Sequence, residues 1–115
     1  QILAWLEQQW NGDRGRLMQV SAGFSYAWDS TRPAGSKVVP GSVSIGGRPL
    51  DPAAEYRITV NNFMADGGDG YTVLRQARNR QYGPQDLEAL EAYLAARPRY
   101  APDPQPRIRR IDEPR

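Results

Sequence analysis

Apolar and polar positions alternate most cleanly in two stretches of the chain. Phe24-Ser25-Tyr26-Ala27-Trp28-Asp29 places three aromatics on one face of an extended segment, where they can bury a large area. Tyr56-Arg57-Ile58-Thr59-Val60 repeats the two-residue period and predicts a second strand. Helical spacing governs two others. At Gln1–Trp10, residues Ile2, Leu3, Leu6 and Trp10 share a stripe, and Asn11-Gly12 supplies a C-terminal stop. From Pro84 to about Ala96, Leu87, Leu90 and Leu94 share a face flanked by alanines, with Pro84 and Asp86 suited to the N-terminus and Pro98 closing the far end.

Shorter strands are predicted at Arg16–Val20, Lys37–Val39 and Ser42–Ile45. A bend is expected at Pro40-Gly41, a hairpin connection at Gly46-Gly47 with a short return through Arg48-Pro49-Leu50, and a turn at Asp51-Pro52. Ser30–Ser36 and Arg75–Tyr82 read as loops, whereas Tyr71–Leu74 fits either a short strand or a helical turn. Neighbouring strands are hairpin-linked, so the expected fold is α+β, a mixed or antiparallel sheet with hairpins packed against a few helices.

The alternation of Tyr56–Val60 stops at Asn61. There the chain reads Asn-Asn-Phe-Met-Ala-Asp-Gly-Gly-Asp-Gly-Tyr, three glycines around the carboxylates Asp66 and Asp69, bracketed by Phe63 and Tyr71. Polar groups, carboxylates and rings on a loop after a strand suit a binding site, and they equally suit a tight solvated turn.

Composition narrows the chemistry. The 115 residues contain no cysteine, which excludes disulfides, thiolate metal sites and a cysteine nucleophile from this chain. They contain no histidine, the commonest metal ligand and general base near neutral pH. The pattern points to binding rather than reaction. A mean hydropathy of −0.71 and the absence of a long apolar run argue against a membrane-spanning helix. The chain opens at Gln1 inside an amphipathic pattern, as expected of a piece whose natural beginning lies upstream.

Charge is uneven. Nine basic and ten acidic residues precede Arg97, while six arginines and three acids follow from it, so the pI of about 9.2 reflects a tail. That tail, residues 97–115, carries five prolines and is expected to cross the surface in extended form, with Arg107–Ile111 as a final edge strand and the last residues disordered. Nucleic-acid binding would need a clustered basic face with interleaved aromatics, which a proline-interrupted tail does not supply.

No Walker loop or G-x-G-x-x-G fingerprint is present, and Asp66–Gly70 lacks the further ligands of a calcium loop. Asp66 and Asp69 as a glycosidase pair would sit on a soft, glycine-rich turn. Recognition is the better use, because a carboxylate accepts hydrogen bonds from vicinal hydroxyls and a ring such as Phe63 stacks on a planar base.

Asn62-Phe63-Met64-Ala65-Asp66-Gly67-Gly68-Asp69-Gly70-Tyr71 resembles the N-F-x-A-x-G-G-D-G-[FY] motif of the 5′-nucleotidase family's C-terminal domain. Arg16–Gly23 with Tyr26 and Asp29, Arg32–Gly35 with Val38-Val39, Leu50–Pro52 before Tyr56–Val60, and Arg107-Ile108 agree in the same order. The resemblance spans almost the whole chain. It implies that residues 1–96 are the second half of a substrate-binding domain. Phe63 then corresponds to a base-stacking ring and Asp69 to the carboxylate on the ribose hydroxyls. Gly67, Gly68 and Gly70 would shape the loop, and Asn62 would help to position it. The resemblance also implies a nucleotide substrate and a separate N-terminal metallophosphatase domain holding two divalent ions such as zinc or manganese. It implies further a periplasmic or extracellular bacterial location and inactivity of this chain alone. The UDP-sugar hydrolases, cyclic-nucleotide phosphodiesterases and sulfur-ester hydrolases of similar architecture are alternatives, as is a non-catalytic binding module. Half a site would also leave apolar surface open to homodimer formation.

Overall fold

The computed structural model describes residues 1–11 and 14–112, and of Arg14 the main chain only. Helix α1, Ile2–Glu7, is followed by a small antiparallel pair, β1 (Trp10–Asn11) and β2 (Arg14–Gly15). The main sheet has four strands in the order β5-β4-β3-β6, where β3 is Phe24–Trp28, β4 Ser44–Ile45, β5 Arg48–Pro49 and β6 Ile108–Arg110. Between β5 and β6 come the helical turn α2 (Asn62–Ala65), 3₁₀ turns at Gly68–Gly70 and Thr72–Gln76, and helix α3 (Asp86–Ala95). The sheet is mixed: β3–β4 and β4–β5 are antiparallel, whereas β6 runs parallel to β3 with Tyr26 opposite Ile108. The architecture is α+β, as the sequence pattern predicts.

Strand β3 is the centre of the molecule. Its aromatic face packs into the core made by Leu6, Trp10, Tyr26, Val38 and Val43, with Met18, Val20, Leu50 and Ile108 around it. Trp28 meets Trp10 at 5.2 Å between ring centroids, and Phe24 meets Tyr26 edge-on at 6.3 Å. The β4–β5 hairpin turns at Gly46 and Gly47, both at positive φ (63° and 78°), as a two-residue hairpin turn of the primed type demands.

Several elements depart from the pattern. Helix α1 ends at Glu7, before the expected stop at Asn11-Gly12, because Trp10 and Asn11 enter β1; Gly12 lies outside the described residues. Arg16–Val20 forms no strand. Its main chain bonds elsewhere: Arg16 N–H donates to Gln9 O and Met18 N–H to Gln9 Oε1 at 2.7 Å, while Val20 O accepts from Arg107. Gln9 is buried with both ends of its amide used, since Nε2 also donates to Leu6 O at 2.9 Å. Lys37 is buried too, its Nζ donating to the carbonyls of Ser30 and Arg32. The Glu7 carboxylate accepts from Lys37 N–H and Val38 N–H, tying α1 to the segment before β4.

Tyr56–Val60 keeps its two-residue rhythm, with Tyr56, Ile58 and Val60 half-buried and Arg57 and Thr59 exposed. It belongs to no sheet among the described residues, so it is extended chain without a ladder. The apolar face of α3 is also uncovered: Leu87, Leu90 and Leu94 are exposed, and the nearby packing is that of Tyr93 with Tyr100 and Arg97.

Beyond β6, Asp112 fastens the strand. It accepts from Ser30 N–H at 3.0 Å, from the Ser30 hydroxyl, and from Arg110 Nε and Nη2. The expected disorder of the last residues concerns positions 113–115, outside the described residues. The Arg110 hydrogen bonds first, then those of Ser30, hold the Asp112 carboxyl well below its ordinary value of 3.8. A depressed carboxyl contributes stability that is present above the unfolded value and lost as pH falls below it. The protection of the Ser30 amide against hydrogen exchange is therefore expected to drop as pH is lowered from 3.8, and Asp112→Asn to remove that dependence.

Candidate functional site

Six residues of the Asn61–Tyr71 segment are the sequence's candidates: Asn62, Phe63, Gly67, Gly68, Asp69 and Gly70. Asn61 starts α2 in extended conformation (φ −73°, ψ 160°), and its side-chain oxygen accepts from Met64 N–H at 2.8 Å. The capping side chain is thus Asn61, and Asn62 contributes its carbonyl, which accepts from Asp66 N–H at 3.0 Å. Gly67, at φ 91°, ends the turn in left-handed conformation, which glycine takes without steric cost.

Phe63 is 61% exposed, unusual for so large an apolar residue, and its ring lies close against Gly68. A Cβ at Gly68 would lie 2.5 Å from Phe63 Cε1, so only glycine leaves the ring where it is. One side of the ring therefore rests on main chain while much of the rest is open to solvent. Asp69 takes φ 57° and ψ 22°, a left-handed conformation that aspartate tolerates better than most residues but that still stores strain.

Asp69 and Gly70 line an open cleft of about 390 Å³ together with Gln8, Trp10 and Asn11. Phe63 stands outside that lining. The Asp69 charge adds to burial in raising the Tyr71 phenol above its ordinary range, burial being the larger cause. A larger cleft of about 470 Å³, between Trp10, Trp28 and Arg110, holds none of the six candidates. No group of three or more acidic side chains converges as a metal site among the described residues, so the described part of this chain offers no ligand set for a divalent ion. No described helix is long and apolar enough to cross a membrane.

Three polar residues around the loop escape sequence reasoning. Gln8 ties the second 3₁₀ turn to α1, accepting from Val73 N–H at 3.1 Å and donating to Thr72 Oγ1 at 2.8 Å. Arg75 Nε donates to Asp66 O at 3.0 Å. Arg80 forks onto the loop, Nη1 to Asp66 Oδ1 at 2.9 Å and Nη2 to Ala65 O at 2.6 Å. The Asp66 hydrogen bond, the largest cause, makes Arg80 hold its proton more tightly than an ordinary arginine. Arginines in a polar loop carry no periodic signal, whereas Asn61 was findable from the preference of asparagine for helix N-caps.

The family model for the 5′-nucleotidase C-terminal domain matches residues 1–76. The chain is 33% identical to an apyrase of Tabanus yao over 71% of its own length and 16% of that protein. It is 31% identical to a 5′-nucleotidase of Diplobatis ommata over 76% of this chain and 16% of that one. It also superimposes on the crystal structure of a 5′-nucleotidase precursor from Thermus thermophilus with a TM-score of 0.79 and 40% identity, covering 98% of this chain and 24% of that one. This chain therefore spans about a sixth of these curated relatives' length and about a quarter of the solved relative's. With the family's loop motif, its fold and its domain model all on the same residues, this chain belongs to the 5′-nucleotidase C-terminal domain family.

Proposed function

We propose that this chain is the nucleotide-recognition part of a secreted or periplasmic 5′-nucleotidase. Phe63 stacks on the base and Asp69 accepts from the ribose hydroxyls, on a loop shaped by Gly67, Gly68 and Gly70 and begun at Asn61-Asn62. A separate N-terminal domain would hold two divalent ions, which would supply an activated water for hydrolysis of the phosphate ester. A hinge rotation between the domains presents the phosphate to them. In the domain division of this reading, residues 1–96 form the second half of the recognition domain and 97–115 are its tail. The chain alone is inactive, because binding without the metal domain leaves the ester intact.

The observation that supports this reading most is the exposed Phe63 ring held over Gly68 in the same loop as Asp69. An apolar ring left in water costs stability unless a ligand covers it. In the full-length protein, a nucleoside monophosphate is expected to be hydrolysed with higher kcat/KM than a phosphate ester without a base. Equal values for the two would remove the recognition role.

The apyrase relatives favour a second reading, a member of the family with that activity. UDP-sugars, 2′,3′-cyclic nucleotides and sulfur esters complete the substrate panel that separates the branches. Hydrolysis of none of them would favour a non-catalytic binding module.

A further inference from the structure

Phe63 can serve as a platform only if its turn is held still, and α2 is a single turn of four residues with no buried side chain. Its end is held from outside. Arg80 reaches Asp66 Oδ1 and Ala65 O with the two arms of its fork, and Arg75 reaches Asp66 O. The carbonyls of Ala65 and Asp66 lie past the last intrahelical donors, where cationic side chains are favourable partners. Gly67 makes room for this: a Cβ there would stand 2.5 Å from Arg75 Nε, so the guanidinium lies against the loop's main chain. Arg75 belongs to the 3₁₀ turn that Gln8 pins to α1, and Gln8 also lines the cleft beside Asp69. One chain of contacts therefore runs from the Asp69 cleft through Gln8 and Arg75 to the turn that carries Phe63.

We propose that Arg80 and Arg75 are positioning residues that set the Phe63 ring relative to Asp69, and so the fit of base and ribose together. The proposal rests on the nucleotide reading above. Arg80 touches no substrate in this account; it acts through Phe63.

The test is a cycle in the full-length protein with a nucleoside monophosphate as substrate. Arg80→Gln is expected to raise KM on the order of tenfold while kcat stays within about twofold. In the Phe63→Ala background the same change is expected to add nothing, because the group it positions is gone. Arg80→Lys keeps the charge but not the fork and is expected to recover only part of the loss. Should Arg80→Gln fail to fold, Arg75→Gln runs the same cycle. Effects of arginine and phenylalanine changes that simply multiply would overturn the proposal, as would an unchanged KM in Arg80→Gln when Phe63→Ala raises it. An unchanged KM in Phe63→Ala itself would instead sink the nucleotide reading, and the proposal with it.

Discussion

Replacing Phe63 with alanine in the full-length protein is expected to raise KM for a nucleoside monophosphate by roughly 5- to 150-fold, the equivalent of about 1–3 kcal/mol of stacking on one base. Two features make the estimate specific to this ring. It is more than half exposed, so its removal opens no cavity in the core and leaves the fold intact. It packs close against Gly68, which restricts the positions open to the ring and so the ordering a bound base would require. Phe63→Tyr, which keeps the stacking surface, is expected to stay close to wild type. Steady-state kinetics on the two variants check both statements. A loss in kcat with KM unchanged would mean that the ring acts on something other than ground-state recognition.

Asp69→Asn is the second large effect. A carboxylate shared by two vicinal hydroxyls makes charge-assisted hydrogen bonds, worth about 1.5–3 kcal/mol each, and the amide keeps at most one good acceptor for them. The expected rise in KM is roughly 10- to 100-fold for a ribonucleotide. Asparagine is the informative replacement because it too tolerates left-handed backbone, so φ 57° at this position is preserved and only the charge is lost. The effect should shrink strongly for a substrate lacking the ribose hydroxyls. A substrate-independent loss would assign Asp69 to holding the loop.

The sequence is legible where a residue's role is local. The aromatic face of β3, the glycine pair of the β4–β5 hairpin and the turn after Asn61 each follow from side-chain period or backbone freedom alone. Legibility fails where a distant side chain supplies what a strand neighbour would have. Arg16–Val20 has a strand's pattern, but buried Gln9 bonds part of its main chain, and Gln9 sits in a stretch that reads as the solvent side of a helix. Tyr56–Val60 keeps the burial rhythm of a strand without a neighbouring strand, which shows that the rhythm records which face is covered and not whether a ladder forms. The uncovered face of α3 is the same lesson for a helix: periodicity names the apolar side but not its partner.

At the candidate site, the groups proposed to meet a ligand lie in one loop and carry a motif. The groups that hold the loop do not. Arg75 and Arg80 reach it from the second 3₁₀ turn and the chain beyond, and Gln8, just past α1, holds that 3₁₀ turn through Thr72 and Val73; none of these polar contacts leaves a periodic trace. Asn61 and Asn62 are adjacent and alike in composition, and only geometry separates the capping side chain from its neighbour.

This chain is proposed to recognise a nucleotide through Phe63 and Asp69. The most direct measurement is a crystal structure of the full-length protein with a nucleoside monophosphate bound. The base is expected stacked on the Phe63 ring and the ribose hydroxyls within hydrogen-bonding distance of the Asp69 carboxylate. A nucleotide bound with its base away from Phe63 and its ribose facing other groups would contradict it.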